Sequence, residues 1–287
     1  MTQYVVVTPV RDEEKHLEAT IASVSAQTLR PQEWVIVNDG STDRTGEIID
    51  RNAAQSPWIR GVHRPNRGYR KSGGGVVEAF YAGYDSLKCD TWDFIVKLDG
   101  DLSFSPDYFE RCFEYFNEQP RLGIGGGDIY HELGGELRLE ANPKFHIRGA
   151  TKIYRKSCWD DIGGLWLGPG WDTIDEVKAN MLGWKTRTFG DLRLVHHRVT
   201  GFADGLLRDR MKHGLACYIS GYHPFFVAAS CVYRLNQKPY ILGSFAILAG
   251  FLKGYFTRTP RVTDDRLIHY LRTQQLRRLC GMDTIWK

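Results

Sequence analysis

Along the first two thirds of the chain, short unbroken apolar runs alternate with stretches of helical spacing. Tyr4 to Val7 is a β-branched run closed by Thr8-Pro9, which predicts a first strand and a turn. Leu17, Ile21 and Val24 then recur on one helical face and predict a helix over 13–27. Trp34 to Val37 predicts a second strand, followed by the polar cluster Asn38-Asp39-Gly40-Ser41-Thr42-Asp43. Ser41, Thr42 or Asp43 suits the cap of a helix carrying Ile48 and Ile49. The order strand, helix, strand, helix is a βαβ unit with a parallel sheet. A third strand falls within 59–63, and a helix carrying Val76, Val77, Phe80 and Tyr84 follows it. Phe94, Ile95, Val96 and Leu98 predict a buried parallel strand. Pro106 fits the first turn of a helix turning Phe109, Cys112, Phe113 and Phe116 inward. Strand-like stretches at 122–130, 184–189 and 192–195, a hairpin or loop at 132–140 and a return to the sheet over 144–154 complete this part.

The predicted strand at 94–98 empties into Asp99-Gly100-Asp101. In an open α/β sheet, ligands bind at the carboxyl ends of strands. Two carboxylates there can share a divalent cation, and their hard oxygens suit Mg²⁺ or Mn²⁺ held together with substrate phosphates. Gly100 lets a phosphate approach the backbone. Asp-Gly-Asp is also ordinary turn chemistry. Its place after a buried strand, and the other loops around it, favour a metal-bound diphosphate at Asp99 and Asp101.

The loop from Arg64 to Gly75 is rich in glycine and cations and opens a helix, which makes it an anion-site candidate through Arg70 and Lys71, or else a solvated loop. Its spacing is not that of a P-loop. Thr173 and Glu176 fit a capping box, which would free Asp172 to point into a cleft; Asp172 as the N-cap itself is the competing reading. His196 and His197 follow the last predicted strand. Neighbours on a strand face opposite sides, so at most one reaches the site as a metal or phosphate ligand.

Composition changes the picture only at the ends. The 287 residues, 42% hydrophobic and 25% charged, allow one large domain or a domain with an extension. No basic n-region with a long apolar h-region opens the chain, so the expectation is a cytoplasmic protein. Six scattered cysteines without a C-x-x-C pair then read as reduced thiols. Net charge is +4, while Lys253 to Lys287 carries eight Lys or Arg against three Asp. The tail therefore holds the basic excess, which suits acidic lipid; nucleic acid has only this charge in its favour and no motif, and is not expected as a partner.

Taken together, several pieces resemble family-2 glycosyltransferases of the GT-A fold. They are Thr8-Pro-Val-Arg-Asp-Glu13-Glu, Ser25-Ala-Gln27-Thr, Val35-Ile-Val-Asn-Asp39-Gly-Ser-Thr-Asp43, Asn66-Arg-Gly68, Leu98-Asp-Gly-Asp101, Ile162-Gly-Gly164, and Asp172 eleven residues before Gly183-Trp-Lys. The resemblance covers residues 3–195. It implies a mostly parallel central sheet with helices on both faces, and a nucleoside-diphosphate sugar as donor, UDP by default. Pro9, Val10 and Glu13 would lie along the nucleoside, with Asn66 in the donor site. Asp39 would accept a hydrogen bond from the base, which suits an acceptor-only carboxylate. Asp99 would face the ribose or the metal, Asp101 would bind the metal, and Asp172 would be the catalytic base. Three positions depart from the family pattern: Trp171 stands where a Glu usually precedes the Asp, Arg11-Asp12 replaces Tyr-Asn, and Asn38 replaces an Asp. With one base and no evident nucleophilic carboxylate, the expected reaction is a single displacement with inversion at the anomeric carbon, moving the sugar to a hydroxyl of a glycan or polyprenyl-linked acceptor.

The resemblance thins beyond His197. On this division, 1–200 is the catalytic domain and 201–287 a helical, apolar and basic extension. Its stretch from Tyr240 to Phe256 is shorter than the roughly twenty apolar residues of a spanning helix. The choice lies between a core helix and an in-plane helix, and the basic tail favours contact with an anionic membrane, at the inner face of the plasma membrane. The rival function is a phosphatase of haloacid-dehalogenase type with Asp99 as nucleophile. There the second Asp is followed by Gly-Thr or Gly-Ser, whereas Leu102-Ser103 follows here. A nucleotidyltransferase would place a glycine-rich, lysine-containing loop after the first strand, where this chain has Pro9-Val-Arg-Asp.

Overall fold

The structure, a computed structural model, describes residues 2–69, 74–140, 143–198, 205–236 and 239–286. Strand β1 (Tyr4–Val10) is buried at every position, so both of its faces must be covered. Helix α1 (Leu17–Ser25) leads to β2 (Glu33–Asn38), and α2 (Thr45–Gln55) leads to β3 (Ile59–His63). Helix α3 (Gly75–Tyr84) precedes β4 (Phe94–Leu98). Short β5 (Leu102–Phe104) and helix α4 (Tyr108–Glu118) follow, then the hairpin of β6 (Leu122–Leu133) and β7 (Glu136–Leu139). Strand β8 (Thr151–Arg155), helices α5 (Lys156–Ile162) and α6 (Trp171–Met181), and β9 (Lys185–His196) close the sheet.

Strand order is β3-β2-β1-β4-β8-β6-β9-β5, with β7 on β6. The first four strands are parallel, as the βαβ pattern requires. Past β4 the directions mix: β8 is antiparallel to both neighbours, β9 is parallel to β6, and β5 is antiparallel to β9. The sheet is thus parallel where crossover helices connect it and mixed where short connections allow reversal.

Alternate residues of each strand feed opposite layers. Tyr4, Val6, Trp34, Ile36, Phe94 and Val96 pack with α1, α2 and α4. Val5, Val7, Val35, Val37 and Ile95 pack with α3, α5 and α6. Helices therefore cover both faces, which is why the central strands read as continuous apolar runs. In the first layer Phe113 lies 4.9 Å from the ring of Tyr4 and 4.8 Å from that of Phe94.

Four local expectations change. The helix predicted over 13–27 begins at Leu17, because residues 13–16 form a turn whose Glu13 carbonyl accepts from His16 and Leu17. Pro106 lies outside α4, whose N-cap is Asp107. The two strands predicted over 184–195 are one, β9, with a register shift opposite Gly127 and Asp128. Thr173 does not cap α6. The N-cap is Gly170, at a φ of 80° that favours glycine, and Glu176 turns into the interior instead of back to the helix start.

The chain divides into two units, Met1–Arg198 and Val199–Lys287. The second contains α7 (Leu206–Ile219), α8 (Pro224–Tyr233), α9 (Ile241–Phe256) and α10 (Asp265–Leu279). Its small core joins Cys217, Tyr218, Ile219, Val227, Cys231, Ile247 and Phe251. Among the described residues no helix is long and apolar enough to cross a membrane.

Replacing Phe113 by Ala removes a ring buried among three aromatic neighbours, Tyr4, Phe94 and Phe109. The expected loss is about 3–5 kcal/mol of unfolding free energy, read from denaturant titration of the variant beside the parent.

Candidate active site

The carboxyl ends of the parallel strands β1, β2, β3 and β4 deliver four loops to one edge of the sheet. Pro9 and Val10 end β1 inside the core, and the Val10 carbonyl accepts from the Asp39 amide at 2.8 Å. Asp12 accepts from the Thr42 amide at 2.8 Å, so the first two loops are stitched together. Arg11 reaches the third: its guanidinium donates to Asn66 Oδ1 at 3.0 Å and to the Tyr69 carbonyl at 3.1 Å. The unusual Arg11-Asp12 pair thus holds loops to one another. Asn66 also accepts from the Gly68 amide at 2.8 Å, which shapes its own turn.

Asp39 meets Arg64 at 2.5 Å and Arg67 at 2.6 Å, and Arg67 also pairs with Glu78 at 2.8 Å. Asn38 accepts from the Ser41 amide at 2.8 Å and contacts His63 at 3.1 Å. A neutral amide does both tasks in the place where the family pattern has a carboxylate. Glu13 is buried and pairs with Arg198 at 2.9 Å; Arg198 also donates to the Asp12 carbonyl at 3.2 Å. Arg70 and Lys71 lie outside the described residues.

Asp101 is buried, with His196 Nε2 3.1 Å from its Oδ2, while its buried Oδ1 has no hydrogen-bond partner. Burial opposes its charge, but the hydrogen bond and charge of His196, with Arg198 and Lys97, hold its pKa below the ordinary carboxylate value. Burial and the charge of Asp101 push Asp99 upward against the pull of Lys97. His196 itself is raised, the Asp101 carboxylate outweighing burial. Of the two histidines, His196 is the one that meets Asp101. His197 instead spends Nε2 on Ser103 Oγ at 2.5 Å and stacks on His16.

Two buried lysines, register partners on β4 and β8, complete the arrangement. Lys97 in β4 is 2% exposed; its ammonium binds Asp99 and the Gly149 carbonyl, the latter at 2.6 Å. Lys152 in β8 is fully buried against Asp175 at 3.0 Å and Glu176 at 2.7 Å, and donates to the Asp172 carbonyl. Both ammonium groups stand over the ring of Trp171, at 5.3 and 5.5 Å. Trp171, where the family pattern has Glu, is therefore a cation-binding face between two buried charges. Gly149 has no Cβ for a reason: one would lie 2.9 Å from the Trp171 ring and 3.4 Å from Asp172 Cβ.

Asp172 occupies the first turn of α6, where the helix dipole favours a carboxylate. Burial works against its charge, yet His146, Lys152 and Arg148 prevail and lower its pKa. His146 is tied to Glu176 at 2.8 Å, and Glu176 also accepts from the Ile147 amide at 2.8 Å. Lys97 thus joins Asp99 to the Gly149 carbonyl, and Gly149 in turn lies close beside Trp171 and Asp172. Lys97, Lys152, His146, Trp171 and Arg198 were not singled out from sequence. For the two lysines a signal existed: each interrupts an otherwise buried strand.

The sequence over residues 5–168 matches the profile of Glycosyl transferase family 2. The chain is a family 2 glycosyltransferase. Membership displaces the phosphatase reading of Asp99. This glycosyltransferase is 32% identical over 153 residues to undecaprenyl-phosphate 4-deoxy-4-formamido-L-arabinose transferase of Edwardsiella ictaluri, covering 52% of the chain and 41% of that relative. The chain spans less than half the length of the curated relatives it matches. Its fold is similar to that of the mannosyltransferase PcManGT from Pyrobaculum calidifontis in complex with GDP-Man and Mn²⁺, with a TM-score of 0.57 at 14% identity, covering 98% of this chain and 88% of that one. It is also similar to S. aureus TarS 1–349 in complex with UDP, with a TM-score of 0.55 at 18% identity, covering 89% of this chain and 72% of that one. The GT-A expectation for the fold is thereby met.

Replacing Lys152 by Met strands two buried carboxylates, with an expected loss of about 3–5 kcal/mol in denaturant titration. A pH prediction follows from His146. Burial disfavours its charge, but Glu176 and then Asp172 raise its pKa above the ordinary value. The folded state then binds the proton more tightly than the unfolded chain does. The stabilisation is fully present below about pH 6.5 and is lost as pH rises through the raised value. Melting temperatures across neutral to mildly alkaline pH should fall in the parent and flatten in His146→Gln.

Proposed function

We propose that the chain moves a sugar from a nucleoside-diphosphate sugar to an acceptor hydroxyl by a single inverting displacement, with Asp172 as the base. The observation that carries this reading is the placement of Asp172, ionised by its neighbours and joined through Gly149 and Lys97 to the Asp99–Asp101 turn. A base must be deprotonated to accept a proton, and His146, Lys152 and Arg148 keep it so. Asp175 and Glu176, the other carboxylates of α6, are fully buried and bound by Lys152, Tyr154 and His146. They are not available as nucleophiles, which supports inversion over a covalent intermediate.

Asp101, through Oδ1, and Asp99 fit a Mg²⁺ or Mn²⁺ ion. Their oxygens are hard donors, one is buried without a partner, and an adjacent pair of carboxylates calls for a cation between them. Among the described residues no three His, Cys, Asp or Glu side chains are gathered as a metal site, so donor phosphate oxygens would complete the coordination. When bound, the ion supplies positive charge against the leaving diphosphate. His196 orients Asp101 from the far oxygen. Pro9, Val10, Glu13, Asp39 and Asn66 frame the nucleoside recess, in which Asp39 would exchange an arginine contact for the base. Arg70 and Lys71 remain candidates for the diphosphate on sequence alone.

UDP sugars are the first donors to test, with GDP sugars next, since the similar folds carry UDP and GDP-Man. The undecaprenyl-phosphate relative supports a lipid-linked acceptor, with a glycan hydroxyl as the other choice. The test is a panel of UDP, GDP and dTDP sugars with Mn²⁺ or Mg²⁺, scored for binding by calorimetry and for hydrolysis without acceptor. In Asp172→Asn the expected fall in kcat is about 10²–10⁴-fold with donor binding retained. Asp101→Asn should instead weaken metal-dependent donor binding. Transfer by Asp172→Asn at the parent rate would remove the base from the scheme.

A further inference from the structure

We propose that the outer face of α9 inserts shallowly into an anionic lipid surface, holding the chain at a membrane without crossing it. The inference rests on the second unit alone and is independent of donor or base.

Helix α9 has two unlike faces. The inner one sets Gly243, Ser244, Gly250 and Gly254 beside Ile247 and Phe251, and at its glycines it comes against α7 closely. A Cβ on Gly250 would lie 2.0 Å from the Met211 carbonyl oxygen, and one on Gly214 of α7 would lie 1.9 Å from that of Ile247. The other side carries large apolar side chains that this packing does not use. There Leu242, Phe245, Ala249, Leu252 and Phe256 recur at spacings of three and four, and all are exposed. Phe245 is 64% and Phe256 84% exposed. This is a complete apolar stripe along a helix, turned to solvent.

Charge selects the occupant. From Leu206 to Thr263 the sequence has eight Lys or Arg, one Asp and no Glu, a net of +7. A second copy would bring the same charge against itself, whereas an acidic lipid surface offers both the apolar interior and the counter-charge. Exposed Tyr240 and Tyr255 stand at the two ends of the stripe, at the depth where amphipathic rings settle. Sixteen residues of helix extend about 24 Å, short of the roughly 30 Å hydrocarbon core, so the helix lies in the plane of the surface.

The test uses the full chain with vesicles of phosphatidylglycerol and phosphatidylcholine, beside vesicles of phosphatidylcholine alone. The parent should co-sediment with the acidic vesicles and less so as salt rises. The double variant Phe245→Glu, Leu252→Glu should lose at least about tenfold in vesicle partition, since two bulky apolar groups no longer enter the lipid. Circular dichroism and donor binding should be unchanged in that variant, which separates loss of docking from loss of folding. A parent that stays in the supernatant with acidic vesicles overturns the proposal. So does equal binding by the variant, or sedimentation velocity showing a parent dimer that the variant splits while neither binds vesicles.

Discussion

Two lysines, Lys97 and Lys152, lie buried as register partners on neighbouring strands, and carboxylates are arranged to meet them. An unpaired ammonium in the place of Lys152 would not stay ionised, because burial penalises the charged form by several kcal/mol. Lys152 is kept charged by Asp175 and Glu176, which raise its pKa despite burial. Lys97 draws in Asp99. The indole of Trp171 fills the space between them. Each partner so recruited sits beside a candidate site residue: Asp99 near Asp101, and Asp175 and Glu176 in the helix whose first turn holds Asp172. The ion pairs are therefore better understood as fixing geometry than as adding net stability, since a well-packed apolar replacement of a whole buried pair is often no less stable.

Topology gives the same edge of the sheet two kinds of loop. The parallel half ends β3, β2, β1 and β4 side by side and supplies the loops of Asp39, Asn66 and Asp101. The mixed half brings β8 back antiparallel against β4, so that Thr151 pairs with Leu98 and the segment just before β8 lies beside the Asp99 turn. The Asp99 amide indeed donates to the Ala150 carbonyl at 2.8 Å. Chain reversal at β8, not a further crossover helix, is what carries Gly149 and then α6 to the carboxylates.

Much of the parallel half was legible because its strands are buried on both faces and leave unbroken apolar runs, as at Trp34 to Val37. The start of α6 was not, because its cap is a backbone conformation at Gly170 with no side-chain signature, while Thr173 and Glu176 happen to spell a capping box. Glu176 answers to Lys152 and His146, partners more than twenty residues away that no local pattern contains. The order of strands past β4 was equally hidden, since it depends on pairings distant in sequence. Lys97 and Lys152 lay in plain view as interruptions of buried strands. Their meaning needed the positions of Asp99, Asp175 and the Trp171 ring.

The bare backbone at Gly149 has a mechanical consequence. Its carbonyl holds one lysine, and its missing side chain makes room for the indole next to Asp172. The interval between the Asp99 turn and Asp172 is thus set by covalently short, tightly packed protein parts that exist before any sugar arrives. Any side chain added at position 149 would first have to push the indole aside, so this part of the frame tolerates no growth.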